Sequence, residues 1–298
     1  MSDFLGVADL TPEGLTAVLE RAADVKSNPA AVAGALAGRS IGLFFEKPSA
    51  RTRISTEVGS SQLGMTPVVL KADEIGLGKR EAVSDVGAVF DRYLDFLALR
   101  VFNHEHLVAI ANAADAPVIN LLSDIEHPCQ ALADLQTVAE HRPLAGATIT
   151  FVGDGNNVAH SLLVGGAMVG ATVRVATPPG YEPDEAIVAR AQQYAGSIEV
   201  TNDVRAAVAG ADVVYTDVWA SMGQEDEAAA RRQLFSDYRV DGDLFAGAAG
   251  DAIFLHCLPA HRGDEATDDV LDHERSMILD QAENRLHSFK ALVLALAE

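Results

Sequence analysis

Apolar positions along this chain follow two alternating spacings. Short runs rich in β-branched and aromatic residues recur at Ile41–Phe45, Pro67–Leu70, Phe96–Leu99, Val118–Asn120, Thr148–Val152, Thr172–Ala176, Glu199–Thr201, Val213–Thr216 and Ile253–Leu255. Between them lie longer Ala-rich stretches of helical period, at Pro12–Lys26, Arg53–Leu63, Ala82–Arg92, Glu105–Ala114, Pro128–His141, Val158–Met168, Asp184–Tyr194, Asp203–Ala209 and Ala282–Leu296. The short runs predict buried strands and the long ones predict helices. Their alternation predicts an α/β protein with parallel sheets flanked by helices. At 298 residues the chain suits two such domains. The stretch His141-Arg142-Pro143-Leu144-Ala145-Gly146 reads as the link between them. Solenoid repeats and low-complexity tracts are not visible.

Ligands of open α/β sheets gather beyond the carboxyl ends of the strands. That rule selects five segments. Ser49-Ala50-Arg51-Thr52-Arg53 follows the strand at Ile41–Phe45 and opens a helix. Backbone N–H groups and the positive end of a helix dipole make such a place an anion cradle. Ser49 and Thr52 can donate hydrogen bonds there, and the Arg51 guanidinium can grip two phosphate oxygens in one plane. Arg100 closes a second strand. His127-Pro128-Cys129-Gln130 follows a third, with Pro128 suited to a first helical position. His127 and Gln130 then share a face at the helix start and can donate toward a polarised carbonyl.

Gly153-Asp154-Gly155-Asn156-Asn157 is like a dinucleotide loop, but Val158 stands where the third glycine of G-x-G-x-x-G belongs. The next strand ends in Ala176-Thr177-Pro178-Pro179, with no acid to hold a ribose. The two asparagines suit a zwitterionic amino acid instead. Asp217-Val218-Trp219-Ala220-Ser221-Met222-Gly223 and His256-Cys257-Leu258-Pro259 complete the set. Asp217 can bind an ammonium group, with Cys257 beside it. Each segment alone has an ordinary explanation as a capped helix, a surface arginine or a packed thiol. Five polar strand ends in one alternating chain point to a site.

Composition narrows the ligand. The net charge of −21 makes nucleic acid and anionic membranes poor partners. It also means that a phosphate must be held by local arginines and backbone donors. No apolar run approaches the ~18 residues of a membrane span. Met1–Glu20 carries Asp3, Asp9, Glu13 and Glu20 and no base, unlike a signal peptide, so a cytoplasmic protein is expected. Cys129 and Cys257 are too far apart for a metal knuckle and are expected as free thiols, with no metal.

Taken in order, F-E-K-P-S-A-R-T-R at 45–53, H-P-C-Q at 127–130, G-D-G-N-N at 153–157, D-V-W-A-S-M-G at 217–223, H-C-L-P at 256–259 and A-E-N-R at 282–285 resemble the aspartate/ornithine carbamoyltransferase family over nearly the whole chain. The resemblance implies two α/β domains with the active site between them. Residues 1–141 would bind carbamoyl phosphate, 142–280 would bind the amino acid, and a last helix at 281–298 would pack back on the first domain. It implies transfer of the carbamoyl group to the δ-amine of L-ornithine, giving L-citrulline and phosphate, without a cofactor. It assigns Ser49, Ala50, Arg51 and Thr52 to the phosphate, and Arg100, His127 and Gln130 to the carbamoyl group, with Arg285, Cys257 and Leu258 at the same ligand. It assigns Asn157, Asp217, Ser221 and Met222 to ornithine, with Cys257 beside the reacting amine. Trimers, in which a neighbour's loop completes each site, are the family's common assembly. Two departures stand out. Ala50 replaces the family's frequent Thr, and the loop Asp73-Glu74-Ile75-Gly76-Leu77-Gly78-Lys79 lacks the glutamine of many relatives. Rival readings are another acceptor (putrescine, aspartate or an acylated ornithine), an NAD-dependent dehydrogenase, and a silent regulatory subunit.

Overall fold

The computed structural model describes residues 3–220 and 227–298. They divide into two compact units, one of Met1–Gln136 with Glu283–Glu298 and one of Thr137–Ala282. Each is an α/β layer structure.

The first unit holds β1 (Ser40–Phe45), β2 (Thr66–Lys71), β3 (Phe96–Arg100) and β4 (Val118–Leu122). All pairings are parallel, in the order β2-β1-β3-β4. Its helices are α1 (Pro12–Ser27), α2 (Ala50–Gln62), α3 (Ala72–Ile75), α4 (Val83–Asp91) and α5 (His104–Ala111), and α6 (Pro128–His141) begins in it. Residues 41–45 of β1 and all of β3 are buried, as expected of strands covered on both faces. The edge strand β2 instead shows a mixed, partly alternating burial and accommodates Pro67. At the other edge Phe4 bridges Ile119, so β4 is not left open. Phe44, Leu97 and Leu99 pack with Val86, Leu107 and Ile110 in one core layer under α4 and α5.

The second unit holds β5 (Thr148–Val152), β6 (Thr172–Ala176), β7 (Ser197–Thr201), β8 (Val213–Thr216) and β9 (Ile253–His256), all parallel, in the order β7-β6-β5-β8-β9. Its helices are α7 (Asn157–Met168), α8 (Glu185–Ala191), α9 (Val204–Val208), α10 (Ala228–Leu234), α11 (Gly242–Phe245) and α12 (Asp268–Leu271). A long helix, α13 (Ile278–Leu296), starts here. Every residue of α7 from Val158 to Met168 is buried, and the helix lies along β6. Val208, Val214, Leu244, Phe254 and Val270 form a core layer with α9, α11 and α12.

Each expected strand is present, and the long helices differ from expectation mainly at their ends. One difference matters for chemistry. The helix expected from Arg53 starts at Ala50, directly after Ser49, which has the extended backbone of an N-cap. Ala50, Arg51 and Thr52 are therefore the first turn, whose N–H groups have no acceptor within the helix. The short helices α3, α10, α11 and α12 were not foreseen. At one or two turns they carry too few residues for a period to register.

The glycines of the β5 loop have local causes. Gly153 has φ +144, where a side chain is strained. At Gly155 a Cβ would stand 2.3 Å from the Pro183 nitrogen and 2.6 Å from the Tyr181 carbonyl oxygen. The Gly155 N–H donates to that same carbonyl at 2.9 Å. Backbone crowding thus accounts for the glycine without a dinucleotide. Gly155→Ala should lower stability by about 1–3 kcal/mol in urea denaturation. An unchanged midpoint would contradict the close approach.

Candidate active site

The order β2-β1-β3-β4 reverses direction between β1 and β3, and the order β7-β6-β5-β8-β9 reverses between β5 and β8. At such a reversal the connections leave toward opposite sides, which opens a crevice at the strand ends. The sequence candidates cluster at these two places, and each unit is described by itself.

In the first unit, the exits of β1 and β3 are tied together. The Glu46 N–H donates to the Arg100 carbonyl at 2.9 Å, and the Glu46 carboxylate accepts from the Phe102 N–H at 2.7 Å. Arg100 is buried at the end of β3. The Ser49 side chain accepts no capping bond from the backbone N–H groups of α2. Its hydroxyl donates to Thr52 Oγ1 at 3.0 Å. Thr52 is buried and also accepts from Arg285 Nη2 at 3.2 Å, so its own hydrogen stays available to donate. Ala50 and Arg51 are exposed. The Ala50 side chain therefore leaves that position with a backbone donor.

Arg285, on α13, is the hub. Its Nη1 donates in a short bond to Gln130 Oε1 on α6, and Gln130 Nε2 donates to Asp134 Oδ1 at 2.8 Å. A guanidinium can only donate and a carboxylate prefers to accept, so the Gln130 amide has one consistent orientation. Gln130, expected to face a ligand, also ties Arg285 to Asp134, one turn along α6. Burial, and then the charges of Arg285 and Arg100, hold the His127 imidazole well below its usual pKa. At neutral pH it is an uncharged ring between two cations. Burial also pushes the Cys129 thiol up to about 12, with Arg285 opposing, so that thiol is inert packing, as its bond to the Asn120 carbonyl suggests.

In the second unit, Asp217 follows β8 and is buried. The Cys257 thiol donates to its Oδ1 at 3.0 Å, and Asn156 Nδ2 donates to its Oδ2 at 3.2 Å. Asn156 caps α7 through its Oδ1, which accepts from the Val158 and Ala159 N–H groups. Asn157 is the first residue of α7 and is half-buried. Ser221 and Met222 lie outside the described residues.

Cys257 and Leu258 leave β9 through a constrained turn. Leu258 has φ +58, a left-handed conformation that costs a non-glycine residue about 1–3 kcal/mol. Its N–H donates to His256 Nδ1 at 2.9 Å. That bond puts the ring hydrogen of a neutral His256 on Nε2, facing Glu265 Oε1 at 3.1 Å. The Glu265 oxygen also accepts from the His261 N–H at 2.6 Å. Ligand atoms of Asp217, His256 and Cys257 lie within 4.8 Å of one another. Both His256 nitrogens are already engaged, so the trio makes a poor metal site.

Several contributors were not visible in the sequence. Asp134 sits four residues after Gln130, and i,i+4 spacing is the signal that would have found it. Asn156 rather than Asn157 contacts Asp217. His256 lay inside a motif already singled out, but Glu265 is joined to it only through the fold. Among the described residues, no helix is long and apolar enough to cross a membrane.

This arrangement has close counterparts. Residues 2–140 match the carbamoyl-P binding domain of the aspartate/ornithine carbamoyltransferases, and residues 145–296 match their Asp/Orn binding domain. An ornithine carbamoyltransferase of Acidothermus cellulolyticus is 52% identical over 295 residues, 97% of this chain and 95% of that protein. One from Synechocystis is 50% identical over 298 residues, 99% of this chain and 96% of that protein. The solved structure of ornithine carbamoyltransferase from Pyrococcus furiosus superposes with a TM-score of 0.95 at 48% identity, covering 99% of this chain and 96% of that one. Two parallel α/β sheets with polar switch-point loops define a two-domain transferase fold. The chain belongs to the aspartate/ornithine carbamoyltransferase family.

The neutral His127 has a consequence for stability. Its folded pKa lies below the unfolded value near 6.5. Below that pH the unfolded chain takes up a proton that the folded chain refuses. Stability is therefore full above about pH 6.5 and falls as pH drops toward the depressed value, by up to about 1.4 kcal/mol per unit. His127→Asn should flatten this slope in urea melts between pH 6.5 and 5. An identical slope in the variant would contradict a buried neutral ring.

Proposed function

We propose that this chain transfers the carbamoyl group of carbamoyl phosphate to the δ-amine of L-ornithine, giving L-citrulline and phosphate. The observation that carries the reading is the first-unit cluster, where two buried guanidiniums, Arg100 and Arg285, flank a neutral His127 beside a helix N-terminus. Such a cluster suits a doubly anionic ligand with a polarised carbonyl. The shared name of the near full-length relatives favours ornithine over putrescine, aspartate, an acylated ornithine or a dehydrogenase substrate.

On this reading residues 1–141, with the helix at 281–298, hold carbamoyl phosphate, and residues 142–280 hold the amino acid. Ser49, Ala50 (through its N–H), Arg51 and Thr52 bind the phosphate. Arg100, His127 and Gln130 hold the carbamoyl group, with Arg285 beside it, and Leu258 lines the same ligand. Asn157, Asp217, Ser221 and Met222 bind ornithine.

An alkylamine has a pKa near 10, so the δ-ammonium must lose a proton before it attacks. Asp217 orients it, and Cys257 beside the amine relays that proton: the thiol hydrogen already bonded to Asp217 moves to the carboxylate as the sulfur takes up the proton of the ammonium. Attack on the carbamoyl carbon builds an oxyanion. Arg100 and the N–H of neutral His127 stabilise it, each such donor being worth about 2.7–4 kcal/mol. The carbon–oxygen bond to phosphate then breaks, the nitrogen gives its second proton to the departing group, and hydrogen phosphate leaves into the α2 cradle. The leaving group is already activated, so the scheme calls for neither metal nor organic cofactor.

The decisive assay is colorimetric ureido-product formation from carbamoyl phosphate, with ornithine, putrescine and aspartate in parallel. Ornithine should be the productive acceptor, and Arg51→Ala should lose about 100-fold or more in activity while keeping its melting temperature. Product from putrescine or aspartate alone would overturn the acceptor, and wild-type turnover by Arg51→Ala would overturn the cradle.

We infer a homotrimer, or a multiple of trimers. The exposed apolar side chains of Ile54 and Val58, one turn apart on α2, support a protein-covered face there. Light scattering should return three subunit masses or a multiple, and a monomer at micromolar concentration would refute it. We place the protein in the cytoplasm, where a reducing medium suits Cys129 and Cys257, which form no disulfide.

A further inference from the structure

Arg231 on α10 is buried, whereas the adjacent Arg232 is exposed. Its guanidinium serves three segments at once. Nη1 donates to Asp154 Oδ2 at 2.7 Å and to the Trp219 carbonyl at 2.9 Å. Nε donates to Glu227 Oε2 at 3.0 Å. The group also lies over the Tyr181 ring, 4.9 Å from its centroid, in cation–π geometry. A lysine could not span these acceptors, because its single ammonium lacks the planar fork.

Two of those partners matter for the acceptor. Asp154 belongs to the loop leaving β5, and Trp219 lies two residues beyond Asp217 on the segment leaving β8. These are the two loops of the switch point, already joined by the Asn156 to Asp217 bond. Arg231 joins them a second time. Charge adds a further reason. Asp154 is mostly removed from water, which disfavours its ionised form, and Asp217 and Glu227 add like charge. Arg231 opposes both effects.

We propose that Arg231 is a positioning residue for the acceptor amino acid, pinning the loops that leave β5 and β8 to each other and pairing with Asp154 so that the Asp217 carboxylate stays available to the substrate's ammonium group. The proposal rests on the ornithine reading above. Without Arg231, Asp154 becomes a buried carboxylate facing Asp217. It then either takes up a proton or repels its neighbour, and both outcomes disturb the ammonium site.

The test is steady-state kinetics with both substrates on Arg231→Gln, Arg231→Lys, Asp154→Asn and the double variant Arg231→Gln/Asp154→Asn, with melting temperatures alongside. Arg231→Gln should raise the ornithine KM about tenfold or more, with the carbamoyl phosphate KM within about twofold of wild type. Arg231→Lys keeps the charge but loses the fork and should fall between, and it carries the test should the glutamine variant not fold. The double variant should be no worse than Arg231→Gln, because both changes break the same contact. A flat ornithine KM in the foldable variants, a parallel rise in both KM values, or losses that multiply in the double variant would each overturn the proposal. Wild-type protein inactive on ornithine would overturn the acceptor reading with it, whereas an active wild type with a flat ornithine KM in the variants would overturn this proposal alone.

Discussion

A parallel sheet has its strand ends all on one side, and its connections must return along one face or the other. Where two neighbouring strands send their connections opposite ways, the chain cannot fill the gap between the exits. Both sheets of this protein contain that reversal, between β1 and β3 and between β5 and β8. The rest of the chemistry depends on it. Arg100 and the Ser49–Thr52 turn stand at the first reversal, and Asp154, Asn156 and Asp217 at the second. Shift either strand order by one position and these groups would be separated by a strand, about 4.8 Å further apart.

The second constraint is charge. A molecule with net charge −21 repels anions at long range, so a phosphate can be held only by concentrated local donors. Buried guanidiniums are donors of that kind, but each costs desolvation unless its hydrogens are engaged. Arg285 meets that need with Gln130 and Thr52, and Gln130 passes the restraint on to Asp134. Burial, together with the charges of Arg285 and Arg100, keeps His127 neutral. The second unit shows the mirror case, with carboxylates in excess and one buried guanidinium, Arg231, to balance Asp154. One unit thus gathers buried guanidiniums at its strand ends and the other gathers carboxylates.

Local hydrophobic patterning carried far. The strands at Thr148–Val152, Thr172–Ala176 and Val213–Thr216 end where their apolar runs end. Thr148–Val152 and Val213–Thr216 are covered on both faces and mostly apolar, so their limits are written in the chain, whereas Thr172–Ala176 carries half-buried Arg174 at its centre and shows alternation instead. The boundary of α2 was less legible, because Ala50 and Arg51 carry no apolar signal and only the extended backbone of Ser49 marks the start. The two glycines of the β5 loop suggested a dinucleotide motif until the backbone of residues 181–183 accounted for the second of them.

The sequence by itself determined which elements form and which polar residues sit at their ends, since both follow from near-neighbour spacing along the chain. Tertiary structure alone decided the rest. It chose Asn156 over Asn157 as the partner of Asp217, Arg231 over Arg232 as the buried cation, and the Nε2–H form of His256 through Glu265 and Leu258. It also brought Arg285 to Gln130 across 155 residues of chain. Burial and hydrogen-bond completion belong to the packed fold, and residues distant in sequence acquire them only when strand order sets them side by side.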